Sequence, residues 1–174
     1  MFLVQDEARF GRITRCSRCW APAGIRPCVP QQIIRQYLSV FTAVAPQSGK
    51  MVSLIFPTSN AEIMTIFLKH VSQQFPDFFI IMQVDGAGWH RSHKVQVPEN
   101  TRLLFHPPYS PELNPVEHIW DDIREKYFHN CQFSSLDALQ ERLCTALNEV
   151  SSKTEYVRSM TYFPHIHIAC ENAG

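Results

Sequence analysis

Two periodicities organise this chain. Near the N-terminus Phe2, Val4 and Asp6 alternate with Leu3, Gln5 and Glu7, the period-two pattern of a strand, here with an acidic end. Tyr37 to Ala45 is rich in β-formers (Val40, Phe41, Thr42, Val44). Gln47-Ser48-Gly49-Lys50 reads as a turn, and Met51 to Phe56 as the returning strand of a hairpin. The period then changes. Asn60 stands where a helix cap belongs, and Ile63, Ile66, Phe67 and Val71 recur at helical spacing up to a break before Pro76. Phe78 to Val84 is almost continuously apolar, the pattern of a buried central strand, and it stops at Asp85-Gly86. Thr101 to Phe105 predicts one more short strand. Two amphipathic helices follow. The first runs from about Pro115 to Phe128 (Val116, Ile119, Trp120, Ile123, Tyr127) and the second from about Ser135 to Val150 (Leu136, Leu139, Leu143, Leu147). Beyond Ser151 the pattern weakens.

Strand, hairpin, helix, strand, strand, helix, helix is the order of an α/β domain, a mixed β-sheet flanked by α-helices. At 174 residues, the chain is sized for a single domain spanning 1–174 rather than for two. No run of about 18 apolar residues is present, so no transmembrane helix and no membrane partner are expected. Met1 to Phe10 lacks the basic and apolar regions of a secretory signal. Six cysteines in a chain this long are too sparse for a disulfide scaffold and point to reduced thiols in a cytosol. Arg12 to Pro30, basic and bearing prolines and cysteines, reads as an irregular insertion. The four prolines from Pro107 to Pro115 dictate a rigid non-helical loop that ends at a helix start.

Three carboxylates occupy special places in this outline. Asp6 lies on the first strand, Asp85 ends the most apolar one, and Glu117 falls in the first turn of a helix. Brought together they would form an oxygen-rich site suited to Mg²⁺ or Mn²⁺. Two such ions can activate a nucleophile and stabilise a leaving oxygen in phosphodiester cleavage. Each carboxylate also has a structural reading. Asp6 can be a solvated strand end, and Asp85-Gly86 can simply turn the chain. With Asn114 as cap and Pro115 at the first helical position, Glu117 stands where a capping-box glutamate belongs.

The words around these residues carry more information than their spacing. Asp85-Gly86-Ala87-Gly88-Trp89-His90 resembles the Asp-Asn-Ala-x-x-His motif of the Tc1/mariner and IS630 transposases, with Gly86 in place of the asparagine. Pro107-Pro108-Tyr109-Ser110-Pro111-Glu112-Leu113-Asn114-Pro115-Val116-Glu117-His118-Ile119-Trp120 is similar to that superfamily's long Pro-Tyr-Ser-Pro-(Asp/Glu)-Leu-Asn-Pro-x-Glu-x-x-Trp motif. Asp6-Glu7 resembles the Asp-Glu that opens its catalytic domain, and Trp20-Ala21-Pro22 with Gly24 resembles the stretch that follows it. The matches run in family order over roughly residues 1 to 130.

The resemblance, closest to the IS630-like branch, implies a ribonuclease H-like DDE nuclease domain. By position Asp6, Asp85 and Glu117 match the metal-binding triad for Mg²⁺ or Mn²⁺, two ions in all, and His90 the motif histidine beside the scissile phosphate or the Asp85 loop. It implies hydrolysis at transposon ends and strand transfer into target DNA, in a bacterial cytoplasm at the nucleoid. Asp85 and Glu117 are separated by 31 residues, slightly below the family's usual interval.

Members of the family also carry N-terminal helix-turn-helix modules that read the inverted repeats. This chain begins five residues before Asp6, so the expectation is weak, sequence-nonspecific DNA binding, with a homodimer and a separate N-terminal DNA-recognition polypeptide open as further partners. An inactive or truncated remnant that binds DNA nonspecifically is the alternative reading. A different metal-dependent nuclease on the same fold is a third, against which the long proline-tyrosine motif argues.

Formal net charge is zero, which taken alone disfavours a nucleic-acid binder. The distribution reverses that inference. From Ala8 to Ala61 no acid occurs, while Arg9, Arg12, Arg15, Arg18, Arg26, Arg35 and Lys50 do; from Glu112 to Gly174 ten acids face five bases. The arginines predict a phosphate-tracking surface whose binding weakens steeply with salt. Cys16, Cys19 and Cys28 supply three thiols without an obvious fourth zinc ligand, so free thiols are the simpler reading. His165 and His167 read as an exposed strand rather than a ligand pair, and Tyr109 as a packing residue.

Overall fold

The computed structural model describes residues 1–14, 20–86, 92–106, 113–164, 166 and 168. Its strands are β1 (Phe2–Ile13), β2 (Ile33–Ala45), β3 (Lys50–Phe56), β4 (Ile80–Val84) and β5 (Thr101–Phe105). Its helices are α1 (Ala61–Gln74), α2 (Val116–Tyr127), α3 (Leu136–Ser151) and α4 (Thr154–Thr161). The strands form one mixed sheet in the order β3-β2-β1-β4-β5. β1, β2 and β3 pair antiparallel, whereas β1–β4 and β4–β5 pair parallel. This is the α/β architecture the element order predicts.

Five details depart from the sequence reading. β1, not the apolar 78–84 run, is the centre of the sheet. β4 starts only at Ile80, and its residues alternate between buried (Ile80, Met82, Val84) and outward-facing, with Ile81 exposed. Phe78 and Phe79 are also exposed. The supposed insertion is shorter than Arg12 to Pro30, because the β1–β2 ladder continues through Gly11↔Tyr37 to Ile13↔Ile33, which places Arg12 inside a strand. In α1 the buried face is Met64, Phe67, Leu68 and Val71, and Ile66 points to solvent. Finally, α4 follows α3 almost directly. Its eight residues bury only Val157 and Thr161, too few apolar positions for a helical period to register.

The strands separate two cores. Along β1 the residues Val4, Ala8 and Phe10 join α2, α3 and α4 on one face through Ile119, Trp120, Leu139, Leu143 and Val157. Leu3 faces the other way, into a smaller cluster with Phe41, Met82 and the α1 residues Phe67, Leu68 and Val71. Local chemistry starts these helices where the sequence predicts. Asn60 Oδ1 accepts from the Ile63 amide at 2.9 Å, and Ser135 Oγ accepts from the Ala138 amide at 3.0 Å. The β2–β3 turn closes on Gly49, whose φ of 70° favours glycine. A Cβ there would fall 1.8 Å from the Thr154 carbonyl oxygen, so this turn seats directly on the start of α4.

Candidate functional site

Asp6 is the one acidic side chain of β1 that faces the α2 side, in line with Val4 and Ala8. It is 7% exposed. The Trp120 indole Nε1–H donates to its Oδ2 at 2.8 Å. Burial pushes the Asp6 carboxyl up to about 7 from an ordinary 3.8; the Trp120 hydrogen bond works in the opposite direction, and the charges of Glu117 and Glu7 add to the rise. Glu117 therefore lies within electrostatic reach of Asp6.

Sheet topology carries Asp85 toward the same end of the sheet. β1 and β4 run parallel in the register Leu3↔Met82, Val4↔Gln83. The last pair of that ladder, Val4↔Gln83, stands two residues before Asp6 and Asp85, and Asp85 follows β4 directly. Asp85 is half-buried at the carboxyl end of β4, the end of a parallel strand pair at which α/β proteins gather their ligands. On the next strand His106 is buried. Its backbone N–H donates to the Val84 carbonyl at 2.9 Å, and the Gln83 amide lies 2.7 Å from its Nε2.

Glu117 is exposed in the first turn of α2. Asn114 Oδ1 caps this helix by accepting from the Val116 amide at 3.1 Å. No described bond returns from the Glu117 carboxylate to the cap, so the reciprocal half of a capping box is not made. That leaves both oxygens available. Among the described residues no three His, Cys, Asp or Glu side chains converge on a single metal-sized point. Three like charges do not draw together of their own accord; the donors are hard oxygens on adjoining elements, as Mg²⁺ and Mn²⁺ require, and a cation would offset the desolvation that raises Asp6.

The predicted basic residues divide. Arg9, Arg26 and Arg35 are exposed, Arg9 lying 5.7 Å over the Tyr37 ring. Arg12 is committed internally. Its Nε donates to the Phe133 carbonyl at 3.0 Å, its Nη2 to the Ser134 carbonyl at 2.6 Å and its Nη1 to Gln36 Oε1 at 2.7 Å. It bolts the far end of β1 to the segment that enters α3. Arg15, Arg18, His90, Tyr109, Cys16, Cys19, His165 and His167 lie outside the described residues, and Cys28 is a free, exposed thiol. A groove of about 670 Å³ runs past Phe10, between β1 and α2; Arg9, Arg124 and His129 line it together with Asp121 and Glu125, so its charge is mixed.

Trp120 is the residue that sequence reasoning placed only in a core stripe. Its signal was present: it closes the long motif, three positions after Glu117, which puts both on one side of α2.

The family model for the DDE superfamily endonuclease matches residues 1–140. The chain belongs to that family. The uncharacterized protein y4pE/y4sA of Sinorhizobium fredii is 37% identical over 112 residues, covering 64% of this chain and 83% of that one. Among solved structures, the Mos1 transposase paired-end complex with the left transposon end matches with a TM-score of 0.62 at 14% identity, over 93% of this chain and 56% of the Mos1 chain. The Mos1 mariner paired-end complex with Mn matches with a TM-score of 0.65 at 14% identity, over 92% and 53%. The chain thus spans little more than half of the Mos1 chains it resembles. At this identity the likeness establishes the fold: the DDE endonuclease domain of this chain is ribonuclease H-like. Among the described residues no helix is long and apolar enough to cross a membrane.

Proposed function

We propose that this chain is the metal-dependent catalytic domain of a DNA transposase of the Tc1/mariner superfamily, in its IS630-like branch. Its reaction would be phosphodiester hydrolysis at transposon ends followed by strand transfer into target DNA. One observation carries the reading. In a DDE endonuclease chain, the parallel ladder of β1 and β4 runs toward Asp6 and Asp85, and α2 brings the charge of Glu117 to bear on Asp6.

Asp6, Asp85 and Glu117 would hold two Mg²⁺ or Mn²⁺ ions, which when bound supply an activated nucleophile and stabilise the leaving oxygen. The similar Mos1 complexes contain transposon ends, and one contains Mn. The protein's own contribution is rigidity and charge. β1 and the end of β4 would hold two of the carboxylates on adjoining strands, since an in-line displacement tolerates little misplacement. The exposed Arg9, Arg26 and Arg35 would track phosphates. His90 would contact the scissile phosphate or hold the Asp85 loop. A homodimer and a separate recognition polypeptide would complete the assembly on two DNA ends.

Incubation with supercoiled plasmid and Mn²⁺ tests this directly. Nicking by the wild type that Asp85→Ala abolishes is the expected result, and equal nicking by both would overturn the assignment. The remnant reading draws on the unconverged carboxylates and on Gly86. It predicts no nicking with salt-sensitive DNA binding retained.

A further inference from the structure

We propose that Trp120 is a positioning residue for the metal site, holding Asp6 Oδ2 through its indole N–H so that the carboxylate meets a divalent cation in one fixed orientation. The inference rests on the metal-dependent reading above and assigns a role to a residue outside the carboxylate triad.

The hydrogen bond is 2.8 Å long and buried. Trp120 is 1% exposed, and Phe10 meets its ring edge-on with centroids 6.0 Å apart at 70°. Phe10 is held in turn by Phe128 at 5.0 Å and by the Arg124 guanidinium at 5.5 Å. The indole therefore has no room to swing away, and its donor direction is set by packing rather than by the carboxylate. A carboxylate on a strand can rotate about its terminal torsion and offer a cation one oxygen or two. The indole N–H takes one lone-pair site of Oδ2 and the Glu7 backbone N–H also bonds the carboxyl, so that rotation is checked and Asp6 is held in one orientation.

The chemistry of the donor matters as much as its position. A lysine or arginine at this point would neutralise the carboxylate and compete with the cation. A hydroxyl could reverse its bond. Indole N–H donates only and carries no charge, so it orients Asp6 and leaves its negative charge for the metal. Outer-shell partners of this kind are worth 10- to 100-fold in metal affinity. The i,i+3 spacing of Glu117 and Trp120 on α2 means that the helix delivering the third carboxylate also aims the first.

Mn²⁺ binding to the full chain, measured by calorimetry with circular dichroism and thermal melts alongside, decides the point. Trp120→Phe keeps an aromatic body and removes the donor. The expected result is Mn²⁺ affinity about 10- to 100-fold weaker, with the ion-free melt close to wild type. The Mn²⁺ concentration for half-maximal nicking should rise in parallel, and most of the rate should return at saturating ion. If the phenyl ring packs too loosely to fold well, the benzothiophene analogue of tryptophan at position 120 removes the N–H at nearly constant volume. Affinity equal to wild type in a folded variant overturns the inference, and so does a loss of affinity that merely tracks a lowered melt. Binding that Asp6→Asn leaves unchanged removes the metal reading and this inference with it. Binding that depends on Asp6 but not on Trp120 removes this inference alone.

Discussion

The two faces of β1 make opposite use of buried polarity. On the α2 face Asp6 is sealed in, yet one oxygen meets the Trp120 N–H, and burial, with the charge of Glu117 adding to it, pushes its carboxyl up. On the α1 face Gln5 is fully buried; its Nε2 donates to Glu7 Oε2 at 2.9 Å, while its Oε1 has no hydrogen-bond partner among the described residues. The first arrangement is an ionisable group whose burial cost can be recovered by a cation. The second is a plain packing expense. A buried polar atom therefore marks function here only where its partner set and its neighbouring charges ask for a ligand.

The contrast breaks most visibly at Asp6 itself. Asp6→Ala should reduce plasmid nicking at least about 10³-fold, as expected for losing a ligand of a two-ion site, while the folded state survives. Circular dichroism separates that outcome from unfolding. On the opposite face the signs exchange. Phe67→Ala removes a fully buried ring packed 5.7 Å from Phe41 and should cost about 3–5 kcal/mol in denaturant melts. Mn²⁺ affinity of the remaining folded protein should stay near wild type; a parallel loss would show that the two faces are coupled.

The pH response sharpens the comparison further. Asp6 titrates near 7 in the folded chain against 3.8 in the ordinary range, so the folded state holds the extra proton between those values. The sign follows: stability from this group is fully present below about pH 4 and is lost as pH rises through about 7, on the order of 4 kcal/mol in all. Asp6→Asn mimics the protonated form. Without divalent ion it should match wild type near pH 4 and exceed it at pH 8 by that amount in urea melts; Mn²⁺ should recover the wild type at pH 8. The smallest effect belongs to Gln5→Leu, which deletes the orphaned carbonyl and should be neutral or about 1 kcal/mol stabilising. A loss above about 2 kcal/mol would mean that Gln5 serves the site after all.

Much of this molecule was readable from residues alone, for reasons the structure makes plain. Alternation and helical spacing reported every long element because each buries one face, and the cap residues Asn60 and Ser135 marked starts through bonds that are local in sequence. What escaped depends on distant partners. The extension of β1 past Arg12 exists because Tyr37 and Ile33 pair with it across the sheet. The central place of β1 is a property of strand order, to which the apolar run of 78–84 gave no guide. In the site, Asp6, Asp85 and Glu117 stood out by position and motif. The hydrogen bond from Trp120 to Asp6 spans 114 residues and left no mark in composition. Arg12 looked like any other surface cation until the Phe133 and Ser134 carbonyls came round to meet it.

The placement of Glu117 and Trp120 on one rigid helix also sets what the gene can tolerate. A residue added or removed ahead of Asn114 leaves the acid and the indole in phase with each other. One inserted between them turns everything beyond it by about 100° around the helix axis and carries the indole away from β1. Length variation among sequences of this type should therefore collect before the cap and be absent from the four positions 117–120, a reading frame within the reading frame that geometry alone enforces.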